Sequence, residues 1–233
     1  KLLSLMLFLS LSVVADDNEI YVDQVGATAN IDLEQLGSGN IIGGLLSAHG
    51  SMTNFDLDGT SMTLDVNQIG NNNKMLGDIN ADTFTGLFDF DGDTNSYTIQ
   101  VDPTNANSAD SSNVNVNVDG STNTMTLDLA KTSLSSGADI DTIVQGNTNT
   151  VHIDLDVDSA TNYIDLDGDS NTVDYNGDGY AGAYFKLEHD GGTRTFDIDQ
   201  QSTQDNDWLR VISNGSGGTY CIQQDDQGTS TSC

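Results

Sequence analysis

Apolar and polar residues alternate with a period of two in short runs, and those runs recur at a fixed spacing along most of the chain. Five residues after a series of regularly placed glycines stand Ile31, Ile42, Leu64, Met75, Tyr97, Met125, Val151 and Val173. Seven after them stand Leu33, Val66, Ile99, Leu127, Ile153 and Tyr175, with Gly44 and Gly77 filling the same place in two copies. Period-two spacing puts these side chains on one face of a strand, and Asp32, Asp65, Asp128 and Asp154 on the other. Each run therefore predicts a strand of about five residues that ends in a tight turn.

The glycines set the repeat. Gly26, Gly37, Gly59, Gly70 and Gly92 fall on one 11-residue grid, with Ala48 and Ala81 at its vacant points. Gly120 restarts the pattern after an irregular stretch from Pro103 to Ser112. Gly146, Gly168 and Gly179 form a second 11-residue grid, shifted by an insertion near Lys131 to Gly137. Three residues after six of these glycines stand Asn40, Asn73, Asn95, Asn123, Asn149 and Asn171. One strand and one turn make a half-repeat that cannot bury its apolar face alone, so two halves form a rung of about 22 residues and rungs stack roughly 4.8 Å apart. The expected fold is an all-β solenoid over residues 16–185. Its glycines reverse the chain with φ above zero, and its asparagines stack inward as hydrogen-bonded ladders that hold the register.

The half-repeat Gln-x-Gly-x-x-Asn followed by alternating apolar positions resembles the curlin repeat. It stands as Gln35-Leu36-Gly37-Ser38-Gly39-Asn40 and as Gln68-Ile69-Gly70-Asn71-Asn72-Asn73, with a partial copy at Gln24-Val25-Gly26. In later copies Leu57, Phe90, Val118 and Leu166 replace the glutamine. The resemblance implies a secreted, curli-like fibre subunit that self-associates through open β-edges and acts in adhesion or a biofilm matrix, with cell-surface or matrix partners and no enzymatic role.

The two ends depart from the repeat. Lys1, the apolar run from Leu2 to Val14 and the small residue Ala15 read as a secretory signal over 1–15, too short to span a bilayer. Residues 186–233 read as a cap. Within them Trp208–Ile212 and Thr219–Gln223 form the expected β-hairpin around Asn214–Gly218, with a disulfide between Cys221 and Cys233. Such a hairpin either covers the last rung or controls assembly.

Charge and chemistry narrow the function further. A formal charge of −30, from 36 acids against 6 bases, excludes nucleic acid and anionic membrane surfaces as partners. Calcium is the single cofactor with a motif behind it. Asp174-Tyr175-Asn176-Gly177-Asp178-Gly179 matches the first six positions of an EF-hand loop, with Asp174, Asn176 and Asp178 as oxygen ligands, although Phe185 stands where a bidentate acid belongs. The alternative function is thus a calcium-dependent adhesin or fibre-associated binding module that does not polymerise. Outward acids one rung apart repel by roughly 0.9 kcal/mol per pair in water, and Asn67, Asn117 and Asn176 interrupt their rows. His49, His152 and His189 are scattered, with His152 expected outward and solvated, and no nucleophile, phosphate-binding or zinc spacing occurs.

Overall fold

The computed structural model describes residues 18–43, 55–102, 109–130, 135–179, 182–202 and 206–225. The first strands are β1 (Asn18–Ile20), β2 (Asp23–Val25), β3 (Thr28–Leu36) and β4 (Asn40–Ile42). Longer ones follow: β5 (Phe55–Ile69), β6 (Asn72–Asp91), β7 (Thr94–Val101), β8 (Asn113–Asp119) and β9 (Thr122–Leu129). The rest are β10 (Ser135–Ser136), β11 (Asp139–Gln145), β12 (Thr148–Asp158), β13 (Thr161–Gly179), β14 (Tyr184–Ser202), β15 (Trp208–Gly215) and β16 (Thr219–Asp225). Every pairing among them is parallel, and the partners come from segments one coil apart, which makes the fold a β-solenoid of about eight turns.

Each coil has two walls. The first wall runs through β3, the second halves of β5 and β6, β8, β11, the first halves of β13 and β14, and β15. The second wall runs through the first half of β6, then β7, β9, β12, the second halves of β13 and β14, and β16. Strict alternation of buried and exposed residues, as in Asn113–Asp119, turns one face of each wall onto a single narrow core. Stacked rings fill part of it: Phe90 lies 3.5 Å from Tyr97 and Tyr175 lies 4.0 Å from Phe185, centroid to centroid. Gly86 and Gly177 sit beside such rings, where a Cβ would strike the phenyl groups of Phe84 and Phe88 or the Tyr175 ring.

Two kinds of turn join the walls. A glycine turn leads from first to second wall at Gly37, Gly70, Gly92, Gly120, Gly146, Gly168, Gly191 and Gly215. Gly70, Gly92 and Gly120 do not have the positive φ expected of them. A Cβ on any of the three would instead collide with the carbonyl oxygen of the glycine one coil before, so close approach of stacked turns is what excludes a side chain. The second turn is variable. It begins as Gly26 and Gly59, passes to Ala81, and then carries all the length variation after β6. Thr85 pairs with Asn113, 28 residues on; Asn113 pairs with Asp139, 26 on; Asp139 pairs with Thr161, 22 on.

The amide of Gly43 donates to Ile20 O and that of Asp56 to Val22 O, so β4 and the start of β5 both belong to the second wall, while residues 44–54, Ala48 and His49 among them, lie outside the described residues. One feature differs from the sequence reading: the expected C-terminal hairpin does not form. β15 and β16 do not pair with each other. Each stacks in parallel on β14, Tyr184 opposite Trp208 and Thr195 opposite Thr219, so the solenoid gains one more coil up to Asp225. The signal-like segment 1–15 falls outside the described residues. No helix long and apolar enough to cross a membrane occurs among those described.

Candidate functional site

The repeat residues converge behind the glycine turn. Asn95 Nδ2 donates to Asn123 Oδ1 at 2.8 Å, Asn123 to Asn149 at 2.9 Å and Asn149 to Asn171 at 2.9 Å. Each amide also donates to its own turn: Asn95 to Gly92 O, Asn123 to Gly120 O, Asn149 to Gly146 O and Asn171 to Gly168 O. Asn40 begins the row and donates to Asn73 Oδ1 at 3.2 Å. Gln35 and Gln68 are buried and stacked, Gln68 Nε2 donating to Gln35 Oε1 at 2.6 Å. Gln24 belongs instead to the second wall, opposite Leu57 near the Gly26 turn. The row changes character at the C-terminal end. Asn171 Nδ2 meets His189 Nε2 at 2.8 Å, and His189 Nδ1 meets Ser213 Oγ at 3.0 Å, a pair of bonds that requires the neutral ring protonated on Nδ1. Burial and the Arg194 guanidinium hold the His189 pKa below its ordinary value, against the pull of Asp190 and Asp167.

The outer surface of the second wall is divided lengthwise. Next to the glycine turn, an exposed hydroxyl residue stands on either side of buried Asn95, Asn123, Asn149 and Asn171, and of Arg194, which takes the asparagine's place in β14, so the rows run from Thr94 and Ser96 in β7 to Thr193 and Thr195 in β14. Toward the variable turn the same strands carry acids and amides. One row runs Asp56, Asp78, Gln100, Asp128, Asp154, Asn176 and Asp199. The amides break the repulsion expected of stacked carboxylates by donating to their neighbours, Gln100 to Asp128 at 3.2 Å and Asn176 to Asp154 at 3.0 Å. On the first wall Asn117 does the same for Asp89 at 3.0 Å. Where acids remain adjacent, burial and neighbouring charge raise their pKa values. Asp56 feels Asp23 and Asp58, Asp78 feels Asp56 and Asp102, Asp141 feels Asp139 and Asp165, and Asp156 feels Asp178, Asp158 and Asp154, each after the larger effect of burial.

The calcium motif does not form a loop. Asp174, Asn176 and Asp178 lie along the extended strand β13 and point to the same outer surface, so they are spaced along a line instead of wrapped around an ion. A different group comes closer to a ligand set. One ligand atom each from Asp128, His152 and Asp154 lies within 4.8 Å of the others. Asp174 is recruited to it in another role, its Oδ2 meeting His152 Nδ1 at 3.0 Å, the carboxylate–imidazole contact that orients metal-bound histidines. His152 is thus outward as expected, but it is engaged on the surface and not simply solvated.

Sequence reasoning missed this group because its members come from two coils and only the coil register brings them together. It missed the hydroxyl rows because attention fell on inward positions, although the Thr-Asn-Thr strings at 122–124 and 148–150 are visible in the sequence. Cys221, in β16, is disulfide-bonded, while Cys233 lies outside the described residues. No protein-family model, no curated protein and no solved structure matches this chain.

Proposed function

We propose that this chain is a non-enzymatic structural protein, a curlin-like subunit or component of an extracellular adhesive fibre, that self-associates end to end through its terminal coils. The observation that supports the reading is the loss of cover on core rows at both ends. Along one inward row Val173 and Phe196 are at most 1% exposed and Tyr220 is 43% exposed. Along the next, Tyr175 and Ile198 are at most 2% exposed and Ile222 is 41% exposed. At the opposite end Ala29, Ile31 and Leu33 are only half-buried. Among the described residues β3 pairs with β5 alone, and β15 and β16 with β14 alone, so backbone groups and apolar rows are offered together at each end.

The test is sedimentation, electron microscopy and fibre diffraction of the exported chain. Concentration-dependent filaments with a cross-β pattern are expected, and Ile222→Lys should suppress them while leaving the circular dichroism of the monomer unchanged. Monomers alone, across protein concentration, salt and calcium, would overturn the proposal. A second reading, a metal-dependent adhesin, draws on the Asp128, His152 and Asp154 group. Saturable calorimetric uptake of calcium or zinc that His152→Ala abolishes would favour it, whereas a response that only tracks ionic strength would remove it.

A further inference from the structure

We infer that the hydroxyl rows beside the glycine turn bind the surface of crystalline ice. The rows form a two-dimensional lattice. Thr122 pairs with Thr148 and Thr124 with Thr150 in the middle coils, and the same one-to-one register continues to Thr94 and Ser96 on one side and to Thr193 and Thr195 on the other. In a parallel sheet, neighbours across coils stand about 4.8 Å apart and neighbours along one strand about 6.7 Å apart. Both repeats are close to those of oxygen atoms on the prism face of hexagonal ice. A threonine presents there a hydroxyl that can take a lattice position and a methyl group that fits between water cages, and its β-branch restricts the rotamer before binding occurs.

Strand propensity alone does not account for the pattern. Threonine suits any exposed strand position, yet farther along β12 and β13 the outward residues are His152, Asp154, Asp174 and Asn176, and β7 and β9 pass through Thr98 and Thr126 to Gln100 and Asp128. The chain carries 36 acidic residues, and none stands at the ten outward positions of these rows, eight of which flank Asn95, Asn123, Asn149 and Asn171 and two of which flank the buried Arg194 of β14. A neutral, uncharged crystal face is the partner that such an exclusion fits, because each carboxylate would hold water in an arrangement the lattice cannot use. The construction beneath serves the same end. The buried Asn95, Asn123, Asn149 and Asn171 ladder lies between the two rows, and length changes are confined to the variable turn on the far side, so insertions leave the lattice in register.

The experiment uses the full exported chain, with its monomer and fibre fractions assayed separately, because the lattice does not depend on polymerisation. Thermal hysteresis, ice-crystal faceting and partition into a slowly growing ice hemisphere are measured for the wild type, for Thr150→Lys in the centre of the lattice, and for Asn115→Lys on the outer face of the first wall. The expected result is faceted ice and enrichment in the ice phase for the wild type and Asn115→Lys, with most of both lost in Thr150→Lys at unchanged circular dichroism. Absence of ice shaping at saturating protein would overturn the inference. So would equal activity in the two lysine variants, or retention on crystalline cellulose or chitin with none on ice. If Thr150→Lys proves misfolded, Thr150→Val decides instead: it keeps the shape and removes the hydroxyl, and a reduced but measurable hysteresis is expected, against no change if the row is not the binding surface.

Discussion

The two turns of each coil solve the same geometric problem in opposite ways. The glycine turn repeats with one length and one close backbone contact, and from Asn95 to Asn171 with a buried amide that donates to its own turn and to the next coil. The variable turn has no common residue after Ala81, and on its side of the core Asn162 is fully buried with neither Oδ1 nor Nδ2 engaged. Coils can therefore be lengthened at one corner without disturbing the other, and the surfaces next to the glycine turn stay periodic.

The largest effect should come from breaking the conserved geometry of the glycine turn. Gly120→Ala places a Cβ against Gly92 O, between Asn95 Nδ2 and Asn123 Oδ1, where neither backbone nor ladder can yield. A loss of about 3 kcal/mol in denaturant unfolding is expected. Doubling the number of residues between Asp102 and Ala109, which flank the variable turn, should cost only about 0.6 kcal/mol. Similar losses in both proteins would show that the corners are not different in kind.

The buried amides should respond with opposite signs. Asn149 donates to Asn171 Oδ1, Gly146 O and Asp167 O, and accepts from Asn123. Asn149→Leu strands these partners and should cost about 2 kcal/mol, whereas Asn162→Leu, placed between Ile140 and Phe185, removes an unbonded amide and should gain about 1 kcal/mol. Thermal melts of the two variants check both signs, and a loss at each site would mean that Asn162 is engaged in solution.

This contrast also explains what could be read from sequence. A corner built on glycine and asparagine leaves a periodic record, and the 22-residue steps from Gly70 to Gly92 and from Gly146 to Gly168, repeated from Asn73 to Asn95 and from Asn149 to Asn171, are enough to give strand pairing, coil length and the buried ladder. The final coil escaped because Gly215 follows Gly191 by 24 residues, off the 11-residue grid, and the glycines at 217 and 218 imitate a hairpin turn. The Asp128, His152 and Asp154 group left no local signal, since it exists only once the register has aligned two coils.

The smallest effect, and the one that sharpens the comparison most, is the response to pH. The four raised carboxylates, Asp56, Asp78, Asp141 and Asp156, all lie on the half of the walls nearer the variable turn. With folded pKa values above those of the unfolded chain, they bind protons more readily when folded, so stability rises as pH falls through their folded values toward the ordinary carboxylate range. Glu188, held low by hydrogen bonds from Tyr163 and Lys186, works the other way once pH falls through its folded value. His189 sits at the glycine turn with a pKa below the ordinary histidine value. Its contribution is present above the unfolded value, about 6.5, and is lost between there and the lower folded value, where a second ring proton would face the Asn171 amide. On acidification the protein should first weaken as pH falls below the ordinary histidine value, about 6.5, with hydrogen exchange rising in β14 to β16, and then recover as the carboxylates of the variable-turn half take up protons. His189→Gln should remove the first phase and leave the second; loss of both phases in that variant would mean that the two corners do not respond to protons independently.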